Sequence, residues 1–530
     1  MAESWTIRGG TLLDSSGGMR PGDLALQDGR IARIATHLEA GPNDLDATGL
    51  AVSPGFIDLH CHSEFASLVY PRAESKVLAG VTTDVSGNCG ASAFPLAGEF
   101  LERRRREWRP HGLAIDWAGP EEYFARLEAS PSSVNRALLV GHGAVRAAVV
   151  GYEGRPATAE ERRRMRALVE EAMAAGAFGL SSGLIYPPGC YADPEELADL
   201  AAVAARAGGY YTSHIRSEGD RLLEAVAEFL QVVARSGARG HLSHLKASGR
   251  PNWPKAAQAI GLIRQARARG LAVTADRYPY LASMTDLDSL LLPDWAVEGG
   301  TGAELARLAD PATRRRLVEE VRRGHPGASL DAIVVAAVSA DGPQEVCGKT
   351  LARLASEAAR DGIETAFDLL LRHRAEVSAI YFSMSEENLR AILAEPYVAV
   401  ASDASLRRMP APDDPGRRGL PHPRAYGTAA RFLGTYVRDL GLMDWPEGIR
   451  RLTLLPAQVL GLADRGLLAE GAWGDLVVFD PRTVADRATY DCPWAAPAGI
   501  RHVFVNGVRV VADGRHTGAT PGRVLRKGRS

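Results

Sequence analysis

Between residues 55 and 401 the chain alternates short apolar runs with longer segments rich in Ala, Leu and Arg. The apolar runs Gly55–Leu59, Val81–Val85, Arg136–Val140, Phe178–Ser181, Tyr210–Ser213, Gly240–Ser243, Ala272–Ala275 and Val398–Ala401 read as strands. The segments between several of them, such as Ala159–Ala174, Pro194–Ala207, Asp220–Ser236 and Pro254–Arg269, read as helices. Eight strands alternating with helices predict an α/β fold of the TIM type, a (β/α)8 barrel.

The alternation breaks between Ala275 and Val398, too long a gap for a structureless loop. Helical patterns at Ala303–Gly324, Lys349–Asp361 and Glu364–His373, with strand-like pieces at Ala332–Val338 and Ala379–Ser383, mark it as an insertion between the seventh and eighth strands. The ends of the chain have another texture. The first 52 residues hold short strands at Trp5–Arg8, Asp23–Gln27 and Arg30–Ile34, with turn signals at Gly9-Gly10 and Asp28-Gly29. After a helical stretch near Asp444–Leu462 the tail returns to strands at Asp475–Phe479, His502–Val505 and Val508–Val511, the last two joined by Asn506-Gly507. Chain ends often lie close together, so residues 1–52 and 464–530 are expected to share a small β-sandwich domain. The barrel then spans 53–463, with the insertion or lid at 284–396.

Composition narrows the function classes. Of 530 residues, 62 are Lys or Arg and 64 are Asp or Glu, a net charge of −2 that offers no general basic field for nucleic acid. The five cysteines, Cys61, Cys89, Cys190, Cys347 and Cys492, are scattered and odd in number, which points to a reducing compartment rather than a disulfide framework. With Glu3 at the start and no apolar leader following it, a cytoplasmic location is expected. The uncharged stretch Ala172–Ala192 carries four glycines and the Pro187-Pro188 pair, so no membrane span is expected there. The run Arg103–Arg106 between Glu102 and Glu107 reads as a solvated helix face.

Chemistry in such a barrel sits where strands give way to the following loops. Here those positions read His60-Cys61-His62 after strand one, Gly87-Asn88-Cys89-Gly90 after strand two, Thr212-Ser213-His214 at strand five, Leu242-Ser243-His244 at strand six and Ala401-Ser402-Asp403 at strand eight. Period-two alternation puts His60 and His62 on one side and Cys61 on the other. Four histidines, a cysteine and an aspartate at one barrel end call for a cation to offset their desolvation, and imidazole with thiolate favours zinc. His142, in Val-Gly-His-Gly, is a candidate to support the metal site or face substrate. His241 is expected to point away from His244 or pack in a turn, and Cys190, Cys347 and Cys492 look structural or incidental.

The segment Pro54-Gly55-Phe56-Ile57-Asp58-Leu59-His60-Cys61-His62 resembles the opening motif of the amidohydrolase superfamily. Gly80-Val81-Thr82-Thr83 followed by Gly87-Asn88-Cys89-Gly90 resembles the N-acyl-D-amino-acid deacylase (D-aminoacylase) family within it, in which a cysteine takes the place of the usual metal-bridging lysine. Ser243-His244-Leu245-Lys246, Asp276-Arg277-Tyr278-Pro279-Tyr280, Ser402-Asp403, His422-Pro423-Arg424 and Tyr426-Gly427-Thr428 agree, as do Ala472–Pro481 and Phe504–Gly507. The resemblance implies a tight zinc on Cys89, His214 and His244, and a second, weaker metal position at His60, His62, Cys89 and Asp403. It implies Asp403 as general base and acid, with Lys246, Tyr278 and Arg424 holding the carboxylate and amide oxygen of an N-acyl amino acid. Two departures stand out: Glu64 where the family often has Asp, and Ser283-Met284-Thr285-Asp286 where it tends to a Gly-Ser-Thr run. The alternatives are another amidohydrolase activity on the same scaffold, such as cyclic-amide or dipeptide hydrolysis or deamination, and a non-catalytic protein retaining structural zinc.

Overall fold

The computed structural model describes residues 4–14, 18–324, 329–340, 342–411, 414 and 419–528. Eight parallel strands form the (β/α)8 barrel. Strands one to three are Phe56–Asp58, Val81–Ser86 and Asn135–Leu138, paired in that order. Leu139 alone separates Asn135–Leu138 from Val140–Gly141, which carries the third strand into a second run of pairings. That run continues through Gly179–Gly183, Tyr210–His214, Arg239–Leu242, Val273–Arg277 and Val398–Val400, strands four to eight. Strands eight and one meet at their ends: Cys61 bridges Ala404 in parallel, and the Asp403 amide donates to the His60 carbonyl at 2.9 Å.

Local chemistry explains the helices between them. Ala159–Ala175 starts at Thr158, whose hydroxyl accepts from the Glu161 amide in a capping box, and ends at the left-handed Gly176. Pro194–Arg206 starts with proline in its first turn, and the Asp193 carboxylate accepts from the Glu196 amide at 2.7 Å. Each buries one apolar face, Met165, Val169 and Met173 on the first and Leu197, Leu200 and Val203 on the second, in the core around the barrel.

The insertion has its own core, built on a three-stranded antiparallel sheet in the order Ala282–Asp286, Val377–Phe382, Ile333–Val338. Leu287, Leu308, Leu317, Phe367 and Leu370 pack beneath it. Three differences from the sequence expectations appear here. The pattern Ala303–Gly324 is two helices, Thr301–Ala309 and Pro311–Gly324, because Pro311 has no amide to continue the first and instead begins the second. Ala282–Asp286 is a strand that the sequence reading passed over. The helix Glu386–Leu393, expected within the 284–396 insertion, packs on the barrel helix Lys255–Ala268.

The expected domain of both chain ends is a nine-stranded sheet. Ala51–Pro54 from the first end pairs antiparallel with Leu476–Phe479 from the second. Alternation sorts its side chains: Leu12, Leu476, Val478 and Phe504 face a core of the sheet's own, while Leu13, Val477, Phe479, Val503 and Val505 face the barrel side. Gly9-Gly10, expected as a turn, lies inside the strand Trp5–Asp14 at a bulge, where Gly9 takes a φ of +70°. Asn506 and Gly507 do turn a hairpin, with φ of 50° and 77°. Among the described residues no helix is long and apolar enough to cross a membrane.

Candidate metal centre and active site

All six expected ligands lie at the carboxyl ends of barrel strands, and three of them hold strained backbone. Cys89, His244 and Asp403 take φ of 52°, 34° and 51°, a left-handed conformation costing about 1–2 kcal/mol per non-glycine residue. Such strain persists where the surroundings over-determine it. Gly90, after Cys89, has a φ of +76° and presses so closely on strand four that a Cβ there would stand 2.8 Å from the Gly183 amide nitrogen.

One ligand atom each from His60, Cys89, His244 and Asp403 lies within 4.8 Å of all the others, and His214, Glu218 and His244 form a second such group. The trio expected to hold the tight zinc is thus shared between the two groups, with His244 in both. His60 Nε2 is 3.2 Å from Cys89 Sγ and 3.4 Å from an Asp403 oxygen, and His62 Nε2 is 3.2 Å from that same oxygen. Cys89 Sγ lies 3.6 Å from His244 Nε2. The His214 ring stands edge-on to that of His244 with centroids 4.4 Å apart.

The donor set fits a bound cation. Both ring nitrogens of buried His214 lack a hydrogen-bond partner, and burial pushes its pKa below the ordinary value, which leaves a neutral imidazole with a free lone pair. Burial would raise the Cys89 thiol, but His60 and contacts with His214 and His244 outweigh it and hold Cys89 well below the usual range. Thiolate and neutral imidazole are the forms that ligate zinc. Burial acts against ionised Asp403 too, yet Arg424, His244 and His60 keep it well below the ordinary carboxylate value. Arg424 Nη1 sits 2.8 Å from Asp403 Oδ2.

Two carboxylates that sequence reasoning did not single out orient these histidines. Asp276, on strand seven, lies 3.0 Å from His60 Nδ1 and 2.9 Å from His241 Nε2, and also accepts from the His244 amide at 2.9 Å. Glu218 lies 2.8 Å from His244 Nδ1 and accepts from Lys246. A carboxylate on Nδ1 fixes the tautomer that leaves Nε2 free to ligate. The available signal for Asp276 was a charged residue within an otherwise buried barrel strand; for Glu218, in a loop, there was none.

A cavity of about 250 Å³ opens at this cluster, lined by His62, Cys89, His214, His244 and Asp403 and by the expected substrate residues Lys246, Tyr278 and Arg424. The Tyr278 hydroxyl is buried without a hydrogen-bond partner, and the Arg424 guanidinium lies 4.7 Å from the centre of its ring. Two other histidines find different places from those expected. His241 neither turns away nor packs in a turn: it bonds Asp276 beside the site. His142 lies 2.8 Å from Glu196 in a buried network with Arg146 and does not border the cavity. Cys61 points away from His60 and His62, towards Lys76. Cys190, Cys347 and Cys492 are free thiols outside the cavity lining.

Fold, ligand cluster and sequence together define the class: the chain belongs to the amidohydrolase family, whose model matches residues 45–511. Within that class it belongs to the N-acyl-D-amino-acid deacylase (D-aminoacylase) family of enzymes. It is 38% identical over 527 residues to the N-acyl-D-glutamate deacylase of Alcaligenes xylosoxydans xylosoxydans, covering 98% of this chain and 96% of that protein. It is 35% identical to the D-aminoacylase of the same organism over 523 residues, again covering 98% and 96%. The crystal structure of N-acyl-D-glutamate deacylase from Bordetella bronchiseptica, complexed with zinc and a phosphonate inhibitor, superposes with a TM-score of 0.82 at 36% identity, covering 98% of this chain and 99% of that one.

Proposed function

We propose that the protein hydrolyses the amide bond of N-acyl-D-amino acids to a carboxylate and a free D-amino acid in a zinc-dependent reaction. The observation that carries this reading is the convergence, in one cavity, of a buried Cys/His/Asp cluster with an arginine and an unpartnered tyrosine hydroxyl. Cys89, His214 and His244 would hold the tight zinc, and His60, His62, Cys89 and Asp403 a weaker second position. Zinc bound there supplies Lewis acidity and lowers the pKa of water in contact with it.

The chain's own residues supply the rest. Asp403 is ionised, as a base must be, and takes a proton from the attacking water. It then delivers that proton to the departing nitrogen, which cannot leave as an amide anion. Tyr278, whose hydroxyl has no partner in the protein, donates to the acyl oxygen as charge develops on it. Arg424 and Lys246 receive the substrate carboxylate, the guanidinium through two parallel hydrogen bonds. The preference for D-substrates is supported by the relatives, which are deacylases of N-acyl-D-amino acids.

Turnover of N-acetyl-D-Met, N-acetyl-D-Phe and N-acetyl-D-Glu and of their L-counterparts with added zinc tests the reading. Hydrolysis confined to the D-series is expected. Equal use of the L-series, or none of either, refutes it.

A further inference from the structure

Beneath the metal cluster lies a buried cation that the proposed reaction does not use. Lys76, 1% exposed, sits on the short helix Glu74–Val77 that follows the loop after barrel strand one. Its ammonium group donates to Asp58 Oδ2 at 2.7 Å, to Ser402 Oγ at 3.0 Å and to the Ala404 carbonyl at 3.1 Å. The last two partners flank Asp403 on either side. Asp58, held by Lys76 through one oxygen, accepts from the Ser402 amide through the other at 2.8 Å, and Ser402 Oγ accepts from the Ala404 amide at 3.2 Å. Lys76 therefore closes a ring of hydrogen bonds around Asp403, whose backbone is left-handed at a φ of 51°.

Its neighbours grip the same segment further along. The Ser75 amide donates to the Arg407 carbonyl at 3.0 Å and its hydroxyl accepts from the Arg407 amide at 2.8 Å, while Glu74 accepts from the Met409 amide at 2.7 Å. Three consecutive residues thus hold residues 402–409, and the contacts of Lys76 bracket Asp403.

We infer that Lys76 is a positioning residue for Asp403: through Ser402 and Ala404 it holds the strained backbone that aims the carboxylate at His60, His62 and Arg424. This rests on the deacylase reading, in which Asp403 is the base. It predicts that loosening the ring costs turnover rather than substrate or metal binding, because a base displaced by a fraction of an ångström loses its reach while the cavity and the other ligands stay in place.

Ser402→Ala, Ser402→Thr and Lys76→Gln enzymes, each zinc-loaded, test it. Ser402→Ala should lower kcat about tenfold or more, with KM and zinc content within about twofold of the parent, while Ser402→Thr, which keeps the hydroxyl, should stay within about threefold. Amide hydrogen exchange in Ser402→Ala should accelerate across residues 402–409 and not in strand Tyr210–His214. Lys76→Gln should show the same kcat loss; if burying Asp58 without its cation prevents folding, the serine pair still decides. An unchanged kcat in Ser402→Ala, an equal loss in Ser402→Thr, or a loss that tracks zinc content overturns the inference. If the parent hydrolyses no N-acyl-D-amino acid, the deacylase reading falls, and the exchange comparison still tests the clamp: equal exchange in parent and Ser402→Ala overturns it.

Discussion

Two groups of carboxylates lie at the barrel mouth and at its seam with the insertion, and burial leaves members of the two in opposite states. At the barrel mouth Asp276, Glu218 and Asp403 all lie below their ordinary pKa values, because the desolvation that opposes their charge is outweighed by His60 and His241, by Lys246 and His244, and by Arg424. At the seam with the insertion, Asp288 and Glu304 lie close to Asp286; Arg103, 2.9 Å from Asp286, acts on both and Arg307 on Glu304 alone. There burial and carboxylate–carboxylate repulsion win, and Asp288 is pushed up to about 6 and Glu304 to about 8. A buried acid becomes a ligand, a base or an orienting group only where the fold provides its counter-cation; otherwise it keeps its proton.

The comparison breaks if the two groups respond alike to mutation, and the largest contrast is expected at Asp403. Asp403→Ala should lower kcat by about 10³-fold or more while tight zinc stays bound, as turnover assays beside metal analysis will read. Cys89→Ala should lose the tight zinc on dialysis against a weak chelator, and activity with it. Asp276→Asn, which leaves His60 without its carboxylate, should cost about 10- to 100-fold in metal affinity or activity. The smallest effect belongs to the seam. Glu304→Gln should leave kcat within about twofold and change only the dependence of stability on pH. Glu304 has a raised pKa in the folded protein, so its contribution is fully present below the unfolded value of about 4.3 and is lost as pH rises through about 8. Thermal unfolding from pH 5 to 9 should therefore show the parent losing about a few degrees more than the variant.

Much of the barrel was legible in the chain because strand and helix periods differ so plainly. All eight strands lie within two residues of their expected positions, and the helix Ala159–Ala175 is one residue longer than read. The misses have physical causes. Ala282–Asp286 offers only Ala282 and Met284 as apolar positions, too few to mark a strand by themselves, and is held by pairing with Val377–Phe382, a partner distant in sequence. Alternation placed His60, His62 and Cys61 correctly, since it is a local property. What His241 and His142 would meet was not legible, because Asp276 and Glu196 reach them from other elements. The orienting roles of Asp276 and Glu218 were hidden for the same reason.

The central claim, that the cluster of Cys89, His214, His244, His60, His62 and Asp403 is a zinc-dependent deacylase site, is tested most directly by zinc titration of chelator-stripped protein while N-acetyl-D-amino-acid hydrolysis is followed. Activity should rise from near zero to a plateau as one equivalent of zinc is bound, with no hydrolysis of the L-enantiomer at any point. Full activity in the stripped protein, or zinc binding at that stoichiometry without any gain in turnover, would contradict it.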